Sequence, residues 1–211
     1  MGYTLTTVEL LATLRTLLDE SVEGFWKDGL DCYPALTDGQ NEYTAIILAQ
    51  YKAKVLINPS ESIPEVLRPL YKTVSATTNA SDFPLPTDFL YDISVQLGSP
   101  YSRPLLKREL SRTIPFDQAN TYSGTQGYYY SIINDKVNLE IPTPTNPGGL
   151  SYTLEHFIKP TKIDSNTNPI LPEFTHLAIV IYAFAQLLKK AQRGQEALGQ
   201  YQEFLSLIKY L

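Results

Sequence analysis

Two pairs of carboxylates stand at spacings that could bring them side by side: Asp88 and Asp92, four apart, and Asp28 and Asp31, three apart. A pair held in a pocket could divide general-acid and general-base work, because neighbouring like charges push one pKa up. Carboxylates this close on surface helices or turns are common, however, and are ordinarily just solvated. Cys32 is the single cysteine, so an intrachain disulfide is impossible. His156 and His176 are the only histidines, and with them the chain lacks the Cys/His cluster of a zinc site. No glycine-rich phosphate loop, H-E-x-x-H, G-x-S-x-G, C-x-x-C or EF-hand pattern occurs. The residues therefore predict no catalytic group, no metal and no cofactor.

The charge distribution bears on partners. The net charge is −5, and residues 1–58 hold eight acids against four bases. Nucleic-acid grips show a basic stripe; the nearest equivalent is Arg103, Lys107, Arg108 and Arg112, which reads as a solvated charged face. The fifteen tyrosines include Tyr128, Tyr129 and Tyr130 in succession. On a strand these point to both faces of a sheet, and tyrosine suits contact surfaces because it offers large area with a polar tip.

The positioning elements can be read from periodicity. From Leu177 to Ala185 every residue is apolar, which predicts a helix enclosed by other elements, with Lys189, Lys190 and Arg193 complementing its C-terminus. The run is about half of the ~20 residues a bilayer span needs, so no membrane span is expected. No signal peptide is expected either. Thr6 and Glu9 fit a capping box before a helix carrying Leu10, Leu14 and Leu17. Phe25 and Trp26 form an aromatic anchor expected to be packed. Leu30 to Val55 reads as helix, with Pro34 in its first turn or at a break, and Ile63–Lys72 as a further short helix.

Fourteen of the fifteen prolines lie between Pro59 and Pro172, which predicts strands and loops there. Ile93, Val95 and Leu97 alternate with polar residues. Tyr128–Ile133 and Val137–Ile141 form a hairpin around Asn134-Asp135, two residues that tolerate positive φ. Leu150 to Ile158 alternates as a strand expected to pair antiparallel with the preceding one. Between them Pro142–Gly149, with Pro142, Pro144 and Pro147, is expected to project as an arm that contacts a neighbour. After Gly194, Leu198, Tyr201, Leu205 and Ile208 form a helical seam for the central helix. Phe204, Leu207, Tyr210 and Leu211 are left over, which points to a partner surface. The fold class is α+β: residues 1–74 and 169–211 as a helical bundle, 75–168 as an antiparallel β insertion.

In that order the pieces resemble the head-to-tail connector, adaptor or ring proteins of tailed bacteriophages, particularly short-tailed and crAss-like ones. The resemblance is carried by the N-terminal helix Leu10–Leu18 and the Phe25-Trp26 pair. Next come Gly39-Gln40-Asn41-Glu42, the Leu85-Pro86-x-Asp88-Phe89 element and the strands Val137–Pro142 and Tyr152–Ile158. Leu171-Pro-Glu-Phe174 closes it, running into the apolar helix. It implies a virion structural protein, made in the bacterial host cytoplasm and placed at the head-tail junction. It also implies a ring, by portal symmetry a dodecamer, that contacts the phage portal protein above and tail or ring proteins below. DNA would pass through the lumen without sequence-specific binding. From a different class, the same helices and hairpins would serve a non-virion protein-binding module, and a hydrolase with scattered acids ranks third.

Overall fold

The computed structural model describes residues 6–20, 23–58, 60–78, 82–98, 103–107, 128–140 and 150–208. The chain divides into two compact units, Met1–Leu70 with Lys159–Leu211, and Tyr71–Ile158. The class is α+β, helices in the first unit and largely antiparallel sheets in the second.

In the helical unit α1 (Thr7–Leu17) opens with the capping box: Glu9 N donates to Thr6 Oγ1, and Thr6 N donates to Glu9 Oε2 at 2.6 Å. Leu10 and Leu14 are buried, whereas Leu17 is exposed at the last turn. One π-helical turn (Asp28–Cys32) leads into α2 (Tyr33–Ile57), with Pro34 in the first turn, where its missing N–H leaves nothing unpaired. A 3-10 turn (Glu65–Leu70) ends this half. The chain returns through α3 (His176–Lys190) and α4 (Gly194–Ile208). The α3 helix packs on α1, α2 and α4, and its apolar run is buried or half-buried from Ala178 to Ala185; Leu177, at its first turn, is exposed. The reversal into α4 is made at Gln192, whose φ of 61° is left-handed, two residues before Gly194.

The α2–α3 contact is unusually close. A Cβ on Gly39 would lie 2.7 Å from the Ile179 carbonyl oxygen, inside any real contact distance, so only glycine permits this approach. Gln40, next to it and fully buried, donates to Thr161 O at 2.8 Å and accepts from Ile170 N at 2.9 Å. The strap 159–170 is thus laced to α2. Thr37 Oγ1 accepts from Ile163 N at 3.0 Å, and Thr7 Oγ1 of α1 donates to Thr167 O at 2.9 Å. Residues 159–168 therefore belong with the helices, not with the β section as their composition suggested; side-chain bonds to their backbone replace the missing periodicity.

The C-terminal seam also differs from the expected one. On α4 the buried residues are Ala197, Phe204 and Ile208, with Leu198 exposed and Tyr201 and Leu205 half-buried. Phe204 is 0% exposed, against Tyr182 at 5.0 Å, Tyr201 at 5.8 Å and Tyr43 at 6.4 Å between ring centroids. It is core and not left over, because α4 is rotated to bring this aromatic ring, rather than Leu198, onto the bundle.

Among the described residues the β unit shows two four-stranded sheets. Its strands are β1 (Tyr71–Thr78), β2 (Asp82–Pro84), β3 (Phe89–Leu97), β4 (Arg103–Pro104), β5 (Leu106–Lys107), β6 (Tyr129–Ile133), β7 (Lys136–Glu140) and β8 (Leu150–Ile158). The orders are β1-β8-β3-β4 and β2-β7-β6-β5, antiparallel except for the short β5–β6 pair. The β6–β7 hairpin turns at Asn134 and Asp135, with φ of 53° and 58°, and pairs Ile133 with Lys136. The expected pairing of β8 with the strand before it does not occur. Instead β8 lies between β1 and β3 in the other sheet, where both edges find partners and its near-continuous burial is accommodated.

Phe83, Tyr130, Val137 and Leu139 from one sheet meet Val95, Leu97, Tyr152 and Leu154 from the other, with Phe83 stacked on Tyr152 at 3.6 Å. The register of β3 shifts between Asp92 and Ser94, which leaves Ile93 half-buried and turns Asp92 inward. That buried carboxylate accepts from Tyr130 OH and from Lys107 Nζ, each at 2.6 Å. Burial first, then the Asp92 charge, push the Tyr130 phenol far above its usual range, so it stays a donor.

Three outcomes are expected. Gly39→Ala should lower stability by about 1–3 kcal/mol through overpacking against backbone, while Gly29→Ala, where an added Cβ meets nothing within 4 Å, should leave the denaturation midpoint little changed. Tyr130→Phe should cost about 1–3 kcal/mol in urea unfolding, since Asp92 loses one of its two donors. His176 is fully buried, its Nε2 3.0 Å from Leu171 O, and burial lowers its pKa. The unfolded chain therefore binds the extra proton first. The His176 contribution should be full above about pH 6.5 and lost as pH falls from there through the folded-state value. Melting temperature recorded from pH 8 to 5 checks this, and a flat profile would contradict it.

Candidate functional site

The carboxylates singled out by spacing are spent on structure. Asp28 pairs with the buried Arg15 guanidinium, which also lies 3.6 Å from Glu20. Asp31 accepts from Lys190 and from Lys27 N; the Lys190 hydrogen bond above all holds its carboxyl below the usual range. Asp92 is engaged as described, and Asp88 is exposed in a turn. The spacing thus assembles no paired-acid site. Of the basic stripe, Lys107 is committed to Asp92 and lies 5.2 Å from the Tyr91 ring, Arg103 sits on β4, and Arg108 and Arg112 lie outside the described residues. Burial pushes the Cys32 thiol up to about 11, which leaves it a packed, unreactive group. Among the described residues no group of three or more His, Cys, Asp or Glu could hold a metal ion. No described helix is long and apolar enough to cross a membrane.

The distinctive surface is apolar and lies on the helical unit. Phe25, Leu30, Leu56 and Ile57 are 76%, 78%, 84% and 87% exposed. Their positions follow from chain geometry. The π-helical turn before α2 carries Leu30 outward, and α2 runs on past the expected end at Val55, so that Leu56 and Ile57 cap its free end. Trp26 is buried as expected, with Lys190 Nζ 6.0 Å from its ring, but Phe25 meets only its edge and stays in solvent. Between the start of α2 and the end of α3 runs an open groove of about 450 Å³. Leu30, Pro34, Ala35 and Leu187 line it together with Asp31, Asp38, Gln186, Lys189 and Lys190, so its lining is as much charged and polar as apolar.

Of the partner-facing residues expected from sequence, Phe204 is buried and Leu207 half-buried. Tyr210 and Leu211, with Pro142, Pro144 and Pro147 of the arm, lie outside the described residues. Sequence reasoning missed Leu30, Leu56 and Ile57. The available signal was the run Val55-Leu56-Ile57, which continues the helix after its amphipathic face has been satisfied.

A search among curated proteins found no match to the chain. A family model described as SU10 adaptor protein, by contrast, matches residues 6–211 and so runs through both units. The chain belongs to that family, the bacteriophage head-to-tail adaptor proteins.

Proposed function

We propose that the chain is a virion structural protein that forms a ring, a dodecamer matching the portal, between the portal and the tail of a short-tailed or crAss-like phage. Its lumen is part of the DNA conduit. The observation that carries this reading is the adaptor match across residues 6–211, which leaves neither unit over for a separate activity. The exposed apolar groups of the helical unit support it, since side chains this large displayed in solvent are explained by partners. The acidic balance of residues 1–58 also suits a channel, because a lumen that neutralised phosphates tightly would retain the DNA. Leu207, Tyr210 and Leu211 contact the portal or an adjacent copy, and the arm with Pro142, Pro144 and Pro147 contacts a neighbour or the next tail component. Phe204 supports the helix from inside.

Mixing the purified chain with the portal protein of the same phage and imaging by electron microscopy tests the reading. Ring-shaped particles capped by the chain are expected, and a chain that never joins the portal would refute it. A variant ending at Ile208 keeps that buried residue and should fold normally yet join more weakly. Deleting Thr145–Gly148 should impair attachment of the next component without unfolding the protein.

A further inference from the structure

We draw no further inference here: the strongest candidate, the free edge of β1 in the β unit, where Lys72 to Thr77 are exposed and β8 is the one strand partner among the described residues, carries nothing because nothing in the structure shows what covers it.

Discussion

The helical unit depends on one distance, the approach of α2 to the backbone of α3 at Gly39. Helix pairs ordinarily stand 8–10 Å apart because side chains separate them; here the absent Cβ lets a helix face meet the Ile179 carbonyl directly. Everything else in the unit follows that approach. Gln40 is brought within reach of Thr161 and Ile170, and the strap between them is fixed. Tyr43, one turn on, is buried against Phe204 of α4. A residue with any side chain at position 39 would loosen all of these together.

The β unit solves a different problem. Its sandwich encloses a carboxylate, which water would otherwise solvate, and Asp92 is tolerable only because Tyr130 and Lys107 both donate to it. The arrangement ties the two sheets, since Asp92 belongs to β3 while Tyr130 and Lys107 belong to β6 and β5. Such a bond is directional in a way that apolar packing is not, so it opposes sliding of one sheet over the other. The same economy governs the helical unit, where Asp28 and Asp31 pin Arg15 and Lys190.

For an adaptor, this use of charge matters. The carboxylates that spacing singled out, Asp28, Asp31 and Asp92, are consumed in ion pairs within the two units, and the helical surface displays large apolar groups, Phe25, Leu30, Leu56 and Ile57, among its exposed charges. Rigid units that display apolar groups are suited to repeated contacts, because little conformational freedom is lost when each contact forms.

The sequence by itself determined whatever depends on local rules. The capping box of α1, the place of Pro34, the apolar run of α3 and the Asn134-Asp135 hairpin all depend on neighbours within a few residues, and backbone chemistry dictates them. Composition also marked the proline-rich middle as strand-bearing, though not where its strands begin, at Tyr71, or end, at Ile158. Tertiary structure alone decided what depends on distant partners. Periodicity gives a helix an apolar stripe but not its rotation, so Phe204, rather than Leu198, went inward once the ring of Tyr182 lay opposite. Alternation marks β8 as a strand without saying which edges it will meet, and its pairing with β1 and β3 was set by the assembled sheet. The strap 159–168 carries no period at all, and the bonds from Gln40, Thr37 and Thr7, with the burial of Ile163, place it. The groove at Leu30 and Leu187 is likewise absent from any local pattern, because its walls stand more than a hundred residues apart and exist together only after α2 and α3 have closed on Gly39.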